Sequence, residues 1–109
     1  MTAQDVFDRQ LAAIAGQDLE ALLAQYHEEA EVVRFDRVAR GPAEIGELFA
    51  AYLSAKPQVD EIVSSRVTED VIFYNALMTV GGNRVATYGT LVLKEGRIWR
   101  QTAAALPLT

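Results

Sequence analysis

At Pro57 the spacing of apolar residues changes from helical to alternating, and this change limits the architecture more than any other feature of the chain. Upstream, three stretches carry apolar residues at i, i+3 and i+4 spacing. The first contains Val6, Phe7, Leu11 and Ile14, with Gln10 on the same stripe. The second contains Leu19, Leu22, Leu23 and Tyr26. The third contains Ile45, Leu48, Phe49, Tyr52 and Leu53. Between the second and third, "EVVRF" is rich in β-branched residues and predicts a strand. Downstream the period is two. "QVDEIVSSRVTED" puts Val59, Val63 and Val67 on one face, and "VIFYNALMTV", "RVATYGTLVL" and "RIWRQTAAA" follow. The last three are separated by "GGN" and "KEG", which are hairpin-type turns. Three helices and a strand followed by a four-stranded antiparallel meander define an α+β chain, and 109 residues make one domain spanning 1–109.

Local signals punctuate the helices. Thr2 and Asp5 have the spacing of a capping box, and Gly16 suits a left-handed helix end. Asp18 can cap the second helix. Pro42 and Glu44 suit the first turn of the third, and Pro57 closes it. Tyr26 completes the apolar face of the second helix, and His27 follows at its end beside Glu28 and Glu29.

Charge narrows the partners. Fifteen acids against ten bases give a net charge of −5, which disfavours nucleic acid and anionic membrane surfaces. Without cysteine there is no disulfide or thiolate metal site, and one histidine makes a His-based metal site unfavourable, so neither a metal nor a cofactor is expected. "EEAE" lacks the Asp/Asn and Gly pattern of a calcium loop. The N-terminus has early acids and no apolar run, and a cytoplasmic protein is the default expectation.

The later strands are apolar on both faces. Ile72, Tyr74, Ala76 and Met78 share one side, and Val71, Phe73 and Leu77 the other. A sheet covered by helices on one face should be polar on the other. A second copy of the sheet is the simplest cover, which predicts a homodimer through the outer face. The alternative is that β-branched and aromatic residues simply favour strands.

The phrases "AIAGQDLEALLAQYHEEAEV", "RGPAEIGELF" and "LVLKEGRIWR" resemble the SnoaL-like and ketosteroid isomerase-like group of the nuclear transport factor 2-like superfamily. The resemblance runs from about Thr2 to Ala105. It implies a cone-shaped, curved antiparallel sheet wrapped around three N-terminal helices, a cystatin-like roll enclosing an apolar pocket for a small hydrophobic or aromatic molecule. It does not carry ketosteroid isomerisation with it. The family's carboxylate base aligns with Arg34 when registered on Ala30, or near Val32 when registered on Gly41. Its phenol aligns with Gln10 and its buried acid with Gly89. Arginine stays protonated at neutral pH and cannot replace the base.

Within such a cone the inward residues would be Gln10, Val32, Arg34, Asp36, Tyr74, Met78, Thr87, Gly89, Trp99 and Gln101. Arg34 and Asp36, two positions apart, would share a strand face. Arg34 could hold a ligand's anionic or carbonyl oxygen, with Asp36 and Tyr74 orienting it or moving a proton; equally, the two charges could pair at the rim. Gly89 would leave room for a ligand, or mark a sheet bend. Trp99 would line the pocket or pack in the core. An isomerase, cyclase or lyase, a binding module, and a dimerisation domain all remain open on the sequence.

Overall fold

The computed structural model describes residues 1–108. In chain order it contains α1 (Ala3–Ala15), α2 (Leu19–Leu23), β1 (Tyr26–Val33), β2 (Val38–Arg40), α3 (Gly41–Ser54), β3 (Gln58–Val67), β4 (Val71–Val80), β5 (Asn83–Lys94) and β6 (Arg97–Pro107). The six strands form one curved, unclosed sheet in the order β2-β1-β6-β5-β4-β3. All neighbours are antiparallel except β1 and β6, which pair in parallel.

The capping box forms as the sequence predicts. The Asp5 amide donates to Thr2 Oγ1 at 3.1 Å, and the Thr2 amide donates to Asp5 Oδ2 at 2.9 Å. Asp18 accepts from the Ala21 amide at 3.0 Å and starts α2. The left-handed residue after α1 is Gln17, at φ 53°, while Gly16 stays right-handed at φ −83°. The β4–β5 and β5–β6 turns have φ above zero at their two central residues, Gly81-Gly82 and Glu95-Gly96. That is the primed geometry that matches the strand twist.

The second helix is shorter than its apolar stripe suggests. It ends at Leu23, and the Gln25 carbonyl accepts a hydrogen bond from the Ile98 amide at 2.8 Å. The sheet therefore captures the chain there, and Tyr26 and His27 begin β1 instead of ending a helix. Arg34 and Asp36 also lie off the strand, because β1 ends at Val33 and folds back so that Val38 of β2 pairs with Val33. They occupy the turn between β1 and β2, closed by the Arg34 amide donating to the Arg37 carbonyl at 2.9 Å. The short β2 has no alternating pattern of its own and is held by pairing with β1. Two register shifts in β3 break its alternation, so Val59 and Ile62 turn inward while Val63 is exposed.

The core lies between the helices and the inner sheet face. Val6 and Phe7 of α1, Leu22 of α2, and Ile45, Leu48 and Phe49 of α3 meet Ile72, Leu91 and Ile98 of the sheet. Each large aliphatic side chain buried here contributes about 1.5–3 kcal/mol. On the other sheet face Phe73, Tyr88 and Leu106 stay exposed.

Candidate functional site

A cavity of about 710 Å³ opens between α1, α3 and the inner face of the sheet. Its walls are mainly apolar: Leu11 and Ile14 from α1, Leu48 and Phe49 from α3, Val59 and Ile62 from β3, and Ala76 and Met78 from β4. Of the expected residues, Gln10, Val32, Arg34, Asp36, Tyr74, Met78, Thr87 and Gln101 all line it. The size and apolar lining suit a small molecule.

Two expected residues do not line it. Trp99 falls at the irregularity where Leu93 pairs with Ile98 but Val92 pairs with Arg100. That extra residue removes Trp99 from the inward series, and its ring lies beneath the Arg100 guanidinium (3.8 Å to the ring centre) and the Lys94 ammonium (5.2 Å). Gly89 does not make room for a ligand either. A Cβ built on it would lie 2.5 Å from Tyr74 Cζ, so the Tyr74 ring already fills that space.

The polar groups separate into two sets. At the mouth, Arg34 forks onto Asp36: Nε to Oδ1 at 2.9 Å and Nη2 to Oδ2 at 2.8 Å. The side chains are 36% and 63% exposed, so this is a solvated pair. The hydrogen bonds from Arg34 hold the Asp36 carboxyl below its usual range. Phe35, between them, is 98% exposed and contributes an apolar edge to the rim.

Deep inside, Gln10 Nε2 donates to the Tyr26 hydroxyl at 2.8 Å, and that hydroxyl donates to Gln101 Oε1. Gln10, Tyr26 and Gln101 are all buried. Gln10 Oε1 is buried without a hydrogen-bond partner among the described residues. A buried acceptor left unpaired costs about 1–3 kcal/mol. The hydroxyl at the centre of this network is what the sequence conceals. A tyrosine on an apolar helical stripe reads as packing, and only the early end of α2 turns Tyr26 toward both glutamines. Tyr52 is similar: it sits on the apolar stripe of α3, yet its hydroxyl reaches the cavity wall, 3.8 Å from Met78 Sδ.

Desolvation raises the pKa values of Tyr26, Tyr52 and Tyr74. A phenol whose folded-state pKa is raised stabilises the fold fully below the unfolded value near 10, and that contribution is lost as pH rises above it. Tyr26 and Tyr52 each cost about 1.4 kcal/mol per pH unit beyond that point, or about 3 kcal/mol per unit for the two. Urea unfolding followed above about pH 10 should show stability falling at this slope, with phenolate absorbance from these residues appearing only on unfolding. Phenolate absorbance developing in the folded chain would contradict the burial.

His27 lies outside the cavity. Its Nδ1 accepts from the Glu29 amide at 3.0 Å, which leaves Nε2 to donate to Glu95 Oε1 at 3.1 Å. Nδ1 is thus committed within β1, and Nε2 ties β1 to the β5–β6 turn. Among the described residues no group of three His, Cys, Asp or Glu side chains could hold a metal. No helix is long and apolar enough to cross a membrane.

No known protein-family profile matches the chain, and no curated protein sequence matches it. Solved structures do. A nuclear transport factor 2-like protein of unknown function from Cytophaga hutchinsonii superposes with a TM-score of 0.83 at 12% identity, covering 96% of this chain and 90% of that one. The fold is nuclear transport factor 2-like. A candidate polyketide cyclase from Sinorhizobium meliloti shares this fold with a TM-score of 0.80 at 23% identity, covering 92% of this chain and 94% of that chain. A candidate ketosteroid isomerase from Kribbella flavida gives 0.84 at 15%, covering 99% and 82%. At these identities the likeness is one of fold, and nuclear transport factor 2-like folds host unrelated chemistries.

Proposed function

We propose that the chain is a binding module for a small, neutral, hydrophobic or aromatic molecule, working in the cytoplasm as a homodimer. The cavity of about 710 Å³ carries this reading. Its charged lining residues are at the exposed rim, and its interior offers amides, phenols and aliphatic surface. A neutral apolar ligand would lose little on leaving water there, whereas an ion would lose its hydration without a buried counter-charge. Solved structures of the same fold described as a candidate cyclase and a candidate isomerase support a small-molecule role without fixing a reaction.

Catalysis as an isomerase, cyclase or lyase would need a base. Asp36 is the nearest carboxylate, and the arginine beside it depresses its basicity. In the binding reading Arg34 and Asp36 form the rim and Tyr74 forms part of the wall. The apolar outer face favours the dimer, because Phe73 and Tyr88 are 57% and 41% exposed there.

Methyl naphthoate, a neutral aromatic ester, tests the reading. It should raise the melting temperature in a saturable way. Ala103→Trp, which fills the cavity from β6, should abolish that shift while the chain remains folded. A shift that survives in Ala103→Trp would place binding elsewhere. Sedimentation at micromolar concentration should give twice the monomer mass, and Phe73→Lys should give the monomer.

A further inference from the structure

We infer that the cavity wall beside Gly89 holds a carbonyl oxygen of the ligand, with the Tyr74 phenol as its first hydrogen-bond donor and the Thr87 hydroxyl as its second. This rests on the binding reading above and names the group that the ligand carries.

Most polar groups around the cavity are already taken. Gln10 and Gln101 meet on the Tyr26 hydroxyl, Arg34 is forked onto Asp36, and the Tyr52 hydroxyl contacts Met78 Sδ. The hydroxyls of Tyr74 and Thr87 make no hydrogen bond among the described residues, yet neither is sealed off as Gln10 Oε1 is. Both residues are half-buried, and both line the cavity. Their hydroxyls therefore open onto it.

Strand pairing brings the two together. Tyr74 of β4 pairs with Gly89 of β5, and Ala76 pairs with Thr87. Gly89 has no side chain, so the phenol lies across β5: a Cβ there would be 2.5 Å from the Tyr74 hydroxyl oxygen. Thr87 is the adjacent inward position on β5, about 7 Å along the strand. The two hydroxyls thus border one patch of wall.

Packing asks for neither oxygen. Phenylalanine would cover Gly89 and meet Phe7 with the same ring, and valine has the branched shape of threonine. Each hydroxyl carries one proton to give, and a carbonyl oxygen has two lone pairs to receive them. Burial keeps the Tyr74 phenol protonated, so it stays a donor. A carboxylate would also accept, but it would shed its hydration with no buried counter-charge. A hydrocarbon would leave both protons unpaired.

The test is calorimetric titration of the full chain with acetylnaphthalene and isopropenylnaphthalene, which differ only in a carbonyl oxygen exchanged for a methylene. Tyr74→Phe should weaken the ketone about five- to tenfold and leave the hydrocarbon within about twofold. Thr87→Val should weaken the ketone selectively as well, about two- to fivefold. If Thr87→Val does not fold, Tyr74→Phe still decides, because it keeps the ring and removes an oxygen with no protein partner. The infrared carbonyl stretch of the bound ketone gives a second readout. It should lie below its value in a hydrocarbon solvent and move back up in Tyr74→Phe. A stretch unshifted in the parent chain, or equal losses of ketone and hydrocarbon in Tyr74→Phe, would overturn the inference while leaving the cavity reading intact. Failure of both compounds to bind would remove the cavity reading and this inference with it.

Discussion

Gly89→Ala should destabilise the chain by about 1–3 kcal/mol, the usual cost of overpacking, and lower its melting temperature by about 10 °C. The added methyl would lie 2.5 Å from both Cζ and the hydroxyl oxygen of Tyr74 and 2.6 Å from Cε1. Tyr74 faces Gly89 across the β4–β5 ladder, and its ring is backed by Phe7 at 5.2 Å between centres. It can yield only by moving toward the helix or into the cavity. The backbone of Gly89 is not in the left-handed region, so alanine meets no conformational objection of its own. The sign should therefore reverse when the ring is absent. In a Tyr74→Ala background, Gly89→Ala should be neutral or slightly stabilising, because alanine loses less freedom than glycine in a strand. A double-mutant cycle by urea unfolding measures the difference. Equal penalties in both backgrounds would mean that the ring does not occupy the glycine site.

Tyr26→Phe should cost about 2–4 kcal/mol, although it removes one oxygen and preserves the ring. The loss comes from the groups left behind. Gln10 Nε2 loses its acceptor and Gln101 Oε1 loses its donor, both within a buried network. Phe49 still packs on the ring, at 5.2 Å between centres, so the packing term is unchanged. Tyr52→Phe is the control. Its hydroxyl contacts only a methionine sulfur at 3.8 Å, and its removal should cost no more than about 0.5 kcal/mol. Matched denaturant curves for the two variants separate a structural phenol from a wall phenol. Equal small losses would show that the glutamines re-pair without Tyr26.

These residues also mark how far the sequence could be read. Long periodic segments were legible because burial of one face dictates their spacing: the stripes of α1 and α3 and the alternation of β4 and β5 lie where the pattern puts them. The candidate site was legible to the same extent, since Gln10, Tyr74, Met78 and Thr87 belong to those regular segments. Failures cluster where one residue is inserted or one turn is lost. A single extra residue in β6 removes Trp99 from the cavity, and shifts in β3 expose Val63. The early end of α2 converts Tyr26 from a helix residue into the hub of the inner network, and the pairing of β2 back onto β1 puts Arg34 and Asp36 into a turn. Local propensity carries no record of such events, because long-range strand pairing decides them. Gly89 shows a further limit. A glycine in a strand reports that something approaches closely, but not whether it is a ligand or, as here, the chain's own tyrosine.

The central claim is that the cavity beneath the sheet holds a small neutral molecule. The chain has two methionines: Met78 lines this cavity, and Met1 lies outside it. Labelling the methionine methyl groups with carbon-13 therefore gives one reporter inside and one outside. On titration with methyl naphthoate, the Met78 methyl resonance should shift in a saturable way while Met1 stays in place. An unmoved Met78 at ligand concentrations that raise the melting temperature would contradict the claim.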